Sequence, residues 1–143
     1  VPGDTKYALA TLGVTRAVVL GGEVAVPGSV AADLGVPYDR AGAQDRYGTA
    51  VAVAEYGVAR GWVTWDTVGL ATGVQFPDAL GGGAAMGSSG GVLLLTRTDV
   101  LPDTTRSGLE GHATVIDTIM VMGGPVAVAD AVLADVRTIL DAR

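Results

Sequence analysis

The sequence predicts one three-layer α/β domain built around a mostly parallel sheet of about five strands. Three observations predict it. Short, uninterrupted apolar runs alternate with segments of helical periodicity, as in strands buried on both faces. The 22 glycines of the 143 residues imply many tight turns between such elements. Leu70-Ala71-Thr72-Gly73-Val74-Gln75-Phe76-Pro77-Asp78-Ala79-Leu80 also reads as strand end, turn and helix start in immediate succession. In open α/β sheets, ligands bind at such junctions, at the carboxyl ends of parallel strands.

Taken in order, Arg16-Ala17-Val18-Val19-Leu20 is a first strand, closed by Gly21-Gly22. A short helix is expected over 29–34. The residues Val36-Pro37-Tyr38 can form only a short or edge strand, because proline lacks the amide a central ladder needs. Asp45 is placed as the N-cap of a helix ending near Arg60-Gly61, with Tyr47, Ala50, Val51, Ala54 and Val58 on one face. Strands are expected near 67–71, 91–95 and 118–122. The helix from Pro77 to about Met86 is rich in glycine and alanine, which lowers its intrinsic stability and lets it approach a sheet closely. Leu101-Pro102 and Leu109 bracket a short helix, and a last one runs from Val128 to Leu140. Its apolar stripe is Val132, Leu133, Val136, Ile139 and Leu140.

An internal repeat emerges from these segments. Val18-Val19-Leu20-Gly21-Gly22-Glu23-Val24-Ala25-Val26 matches Met120-Val121-Met122-Gly123-Gly124-Pro125-Val126-Ala127-Val128, and Gly21 lies 102 residues before Gly123. Upstream, Val1-Pro2 with Thr5 echoes Leu101-Pro102 with Thr105. Residues 1–36 therefore read as the tail of a preceding repeat, joined to a nearly complete one. A period of about a hundred residues suits tandem domains and is too long for a solenoid unit. Val1 falls in mid-pattern and reads as a processing or expression boundary.

Composition excludes several functions. Absent cysteine removes disulfides and thiolate chemistry and permits an exported life. The net charge of -6 argues against a nucleic-acid partner. No apolar run reaches the roughly 20 residues needed to cross a bilayer, and no signal-type region opens the chain. Gly87-Ser88-Ser89-Gly90-Gly91 satisfies the G-x-S-x-G pattern in inverted context, with helix before and strand after. Lys6 is the only lysine, so a Walker A loop is excluded. Asp99 and Asp103 alone make a weak metal pair, and no cofactor is expected. His112, the single histidine, is placed in a loop with a solvated or structural role.

Four segments together resemble the cell wall binding repeat 2 family, the surface-anchoring modules of Gram-positive bacterial proteins. They are Gly42 with Asp45-Arg46-Tyr47-Gly48-Thr49-Ala50; Leu70 to Leu80; Leu93-Leu94-Leu95-Thr96 followed by Leu101-Pro102; and the two glycine-pair strands. An extra residue between Gly42 and Asp45, Val92 where proline is common, and Pro27 and Ala129 in place of a serine cap depart from that pattern. The resemblance implies a Rossmann-like module, usually one of three in tandem. It further implies a non-catalytic, extracellular role in holding anionic secondary polymer of the cell wall.

The residues that would carry such binding are the polar and glycine-rich strand ends Gly21, Gly22, Thr72, Gly73, Thr96, Arg97, Gly123 and Gly124, with Asp45, Arg46, Phe76 and Asp78 at the helix starts. Helix N-termini offer amide donors and a dipole suited to anions. The same residues also fit a purely architectural use, with glycines permitting turns and aspartates capping helices. The acidic balance requires a local arginine cluster drawn from Arg40, Arg46, Arg97 and Arg106, or contacts made mainly by hydrogen bonds, or bridging divalent cations. Two other functions stay open, a self-assembly module pairing with sister modules and a degenerate sugar-phosphate or nucleotide domain. Flat faces rich in alanine and glycine favour homo-association, most simply as a closed ring of three.

Overall fold

The computed structural model describes residues 1–143. Six helices and five strands follow in the order α1 (Gly3–Thr11), β1 (Ala17–Leu20), α2 (Gly28–Ala32), β2 (Tyr38–Ala41), α3 (Arg46–Ala59), β3 (Thr67–Thr72), α4 (Phe76–Ser89), β4 (Val92–Thr96), α5 (Asp103–His112), β5 (Thr118–Met122) and α6 (Asp130–Asp141). Every strand pairing is parallel, as continuous apolar runs joined through helices require.

The strands form two sheets instead of the expected single one of about five. One has β1 beside β2, and the other has the order β4-β3-β5. Between them opens an apolar cleft of about 540 Å³, with Val18 and Leu20 of β1 on one wall and Met86 and Leu93 on the other. The second strand also lies later than the expected 36–38. It begins directly after Pro37, whose carbonyl still accepts from the Ala17 amide at 3.0 Å although the proline has no N–H to give.

Alternation along β3 and β4 sorts the layers. Val68, Leu70, Val92 and Leu94 point to one face, where α3, α5 and α6 bury them with Ala54, Leu109, Val132 and Val136. On the other face, a side chain at Gly69 would meet Met86 of α4, so the alanine- and glycine-rich α4 approaches closely at a position without a Cβ. Trp65 is buried in the main core, and His112, which ends α5 and does not lie in a loop, stacks on its ring at 4.0 Å. At α3, the Asp45 carboxylate accepts from the Gly48 amide at 2.8 Å, closing the expected cap. The turn after α3 carries Gly61 at φ 70.

Helix α1 has no counterpart among the sequence expectations. It buries none of its residues, whereas α5 buries Thr105, Gly108 and Leu109.

Candidate functional site

Parallel pairing sets the ends of β3, β4 and β5 at one edge. Thr72 stands opposite Thr96 and Ala71 opposite Met122, so Arg97 follows beside Gly73, and Gly123 beside Thr72. At the matching edge of the other sheet, Leu20 pairs with Ala41, which brings Gly21-Gly22 against Gly42-Ala43. That approach is closest at Gly42, where a Cβ would lie 2.2 Å from the Gly21 carbonyl carbon. The two edges meet at the start of α3. Arg46 lines a groove of about 470 Å³ with Gly21, Gly22, Val24 and Asp45, and a second of about 450 Å³ with Thr72, Gly73, Gln75 and Phe76.

The arginines of the chain divide sharply. Arg16 and Arg60 both hold Asp39, Arg40 lies 3.3 Å from Glu23, and Arg106 pairs with Asp135 at 2.7 Å. Arg46, Arg97, Arg137 and Arg143 have no carboxylate partner, and of these only Arg46 and Arg97 lie at the strand-end edge. Arg46 donates to the Gly73 carbonyl, and the Arg97 guanidinium sits 5.7 Å from the centre of the Tyr47 ring. A Cβ at Gly73 would come within 2.9 Å of that ring and 3.2 Å of the Arg46 side chain. The structure thus brings Arg46 and Arg97 together around Gly73 and leaves both cations uncompensated. Of the other two arginines considered for a cluster, Arg40 donates to the Gly21 carbonyl at 2.7 Å at the same edge but faces Glu23, and Arg106 is held by Asp135.

Several other site residues serve the backbone. The Thr72 hydroxyl accepts from the Val74 amide at 3.2 Å, and the Thr96 hydroxyl donates to the Val100 carbonyl at 3.2 Å, both on buried residues. Asp45 caps α3. Asp78 lies against Gly123, where a Cβ would fall 2.5 Å from its carboxylate oxygen and where φ is 101. Beyond it, Gly124, Thr98 and Val126 help to line a smaller cavity of about 250 Å³.

Of the apolar rim the sequence reading named only Phe76, which is 76% exposed, and missed Val74 and Leu80, also in solvent. Val24 and Val126, the same position of the two repeat copies, are 95% and 92% exposed. The repeat held that signal, since a valine kept in both copies on a glycine-closed turn has no core to fill. No group of three or more His, Asp or Glu side chains is placed to hold a metal, and no helix is long and apolar enough to cross a membrane. Ser89 ends α4 with its hydroxyl on the Met86 carbonyl, and Ser88 bonds Ala85 in the same way.

Comparison with known proteins places this geometry. The sequence pattern described as cell wall binding domain 2 (CWB2) matches residues 40–133. None of the curated proteins is a significant match. Among solved structures, Cwp6 from Clostridium difficile superposes with a TM-score of 0.81 over 96% of this chain at 20% identity. Cwp8 from Clostridium difficile gives 0.66 over 90% at 21% identity. The chain spans 22% and 21% of those two chains, so the likeness shows a shared fold in one part of each.

Proposed function

Since this chain belongs to the cell wall binding domain 2 family, we propose that it is a non-catalytic module that anchors a surface protein by holding an anionic secondary polymer of the cell wall along its strand-end edge. The observation that carries this reading is the pair Arg46 and Arg97. In a chain of net charge -6, these two converge on one surface and neither makes an ion pair, although Asp45 shares the groove with Arg46. Within a Debye length of about 8 Å such a patch outweighs the mean field of the molecule. Guanidinium groups suit phosphate or carboxylate oxygens because their donors lie in one plane. The grooves on either side of Arg46 give an extended ligand two directions to follow, and the apolar rim at Phe76 and Val24 suits the carbon faces of sugar rings. No serine, histidine and carboxylate converge there as nucleophile, base and orienter, which is why the reading is a binding one.

The test is sedimentation of the protein with purified walls, with and without their secondary polymers. Binding should require the polymer and should fall for Arg46→Ala and Arg97→Ala. Equal binding to stripped walls, or unchanged binding of both variants, would remove the polymer or the arginines from the reading.

A further inference from the structure

The two copies of the repeat sit in complementary surroundings. Strand β1 is paired on one side only, by β2, and β5 is paired on one side only, by β3. If 17–20 and 119–122 are the same element, each displays the partner the other lacks.

Backbone parity supports that equivalence. In a parallel pair, alternate residues of a strand turn their N–H and C=O to the left and right neighbours. Ala17 donates to the Pro37 carbonyl at 3.0 Å and Gly21 to the Ala41 carbonyl at 2.9 Å, so the odd residues of β1 face β2. At the entrance of β5 both Asp117 and Thr118 donate to the Asp66 carbonyl, at 2.9 and 3.0 Å. Because Gly73 donates to Thr96, the odd residues of β3 face β4 and its even ones β5, and with Thr67 opposite Thr118 this turns the even residues of β5 to the sheet. The repeat offset of 102 keeps parity, so Ile119 corresponds to Ala17, Val121 to Val19 and Gly123 to Gly21. The amides of β5 that stay outside the sheet are thus the counterparts of those that bond β2. A slip of one residue in the repeat would have put β2 and β3 on the same side and made the two pairings mutually exclusive.

Burial agrees at mid-strand, though not at the strand end, where Leu20 is exposed and its counterpart Met122 only partly so. Val19 is buried at 7% exposure beside β2, but its counterpart Val121 is 37% exposed, and Met120 is 42% exposed. Helix α1, the counterpart of α5, buries nothing. An open, apolar edge strand is a pairing site unless something covers it. Free copies of this chain have no spare β2 to offer, because their own β1 holds it.

We infer that the free edge of β5 is a docking site for the β2 strand of the next module of the same kind in a tandem array, giving a four-stranded parallel sheet β4-β3-β5-β2 shared between two modules. The incoming Tyr38 to Ala41 lies alongside Ile119 to Met122. Ile119 donates to the carbonyl of the incoming Pro37 and Gly123 to that of the incoming Ala41. On the same reasoning, the outer edge of β1 belongs beside the β3 of a preceding module, which accounts for two sheets where one was expected. The modules of such an array are stitched by strand exchange and are not separate beads.

The test extends the full chain at Arg143 by a second copy of residues 36–143 and compares amide hydrogen exchange with that of the single chain. In the single chain the Met120 amide should be protected, and those of Val121 and Gly123 should exchange as exposed groups. In the tandem protein, Val121 and Gly123 of the first copy should slow by about tenfold or more, as paired amides do, while those of the second copy stay fast. Their protection should not depend on protein concentration. Val121→Pro removes an N–H that the single chain leaves in solvent, so Met120 should stay protected while the tandem loses protection at Gly123. Fast exchange at Val121 and Gly123 of the first copy in the tandem protein overturns the inference, and so does protection that appears only as concentration rises, since the occupant is then a second chain.

Discussion

The Arg46 guanidinium donates to the carbonyl oxygen of Gly73 at 2.5 Å, tying the first residue of α3 to the residue that follows β3. The Arg97 side chain, against the Tyr47 ring, makes only that contact. The two arginines therefore separate folding from binding. A hydrogen bond from a charged donor contributes more than a neutral one, and solvent access reduces it to about 1 kcal/mol. Arg46→Ala should lower the thermal midpoint by a few degrees, and Arg97→Ala should leave it within error. Scanning calorimetry of both variants checks this, with equal losses counting against the Gly73 contact.

A second expectation concerns pH. The Asp39 carboxyl is held well below the usual carboxylate range, first by the Arg16 hydrogen bond, then by that of the Tyr56 hydroxyl, with the Arg16 and Arg60 charges adding to it. A carboxyl depressed in the folded state contributes stability that is present above its unfolded value, near 4, and is lost as pH falls toward the folded one. Asp39→Asn should therefore melt below the wild-type protein at pH 7, and the gap should narrow steadily below about pH 4. Asp33 behaves alike in direction, lowered to about 2 mainly by the Lys6 hydrogen bond. A gap that is constant from pH 7 down to pH 2 would show that the substitution acts through packing alone.

The sequence made much of the fold legible because it encodes local choices strongly. Leu93-Leu94-Leu95-Thr96 can hardly be anything but a buried strand, and Asp45 three residues before Gly48 fixes the start of α3. Long-range pairing was less visible. Nothing in Ala17-Val18-Val19-Leu20 says that its neighbour is Tyr38 to Ala41, or that no third strand lies beyond it, because edge status is a property of what else is present. Helix α1 went unforeseen for the same reason, since its exposed faces give no clear apolar stripe. At the site, residue types were readable and engagement was not. Arg40 and Arg46 look alike in sequence, yet one faces Glu23 and the other faces none. Thr96 reads as a polar strand end open to a ligand, yet it is buried with its hydroxyl on the Val100 carbonyl.

Two glycine substitutions of opposite sign test how tightly the edges are packed. Gly42 has no room, since an added Cβ would meet the backbone of Gly21, which cannot swing aside. Gly42→Ala should cost about 1–3 kcal/mol or more, with the two sheet edges displaced. Gly81 lies within α4 with open space around its Cβ position. Gly81→Ala should stabilise by about 0.5–1 kcal/mol through helix propensity and a less disordered unfolded chain. Denaturant melts of the pair decide it, and a stable Gly42→Ala protein would contradict the close approach of Gly21 and Gly42.

Phe76 opens α4 with its ring in solvent, beside the exposed Val74 and Leu80 and on the rim of the groove that Arg46 lines. An exposed ring at a helix start contributes little to the core, so Phe76→Ala should leave the thermal midpoint nearly unchanged. If sugar rings of the wall polymer lie against it, the lost apolar contact should weaken wall binding by about 1 kcal/mol, or roughly fivefold. Salt separates this contribution from that of the arginines. Charge contacts are screened as ionic strength rises, while apolar contacts are not. The deficit of Arg97→Ala relative to wild type should therefore shrink between 0.05 and 0.5 M salt, taken as about the range over which the Debye length falls below contact distances, whereas that of Phe76→Ala should persist. Equal salt dependence for both variants would place Phe76 outside the contact and leave the arginines as the only anchors of the edge.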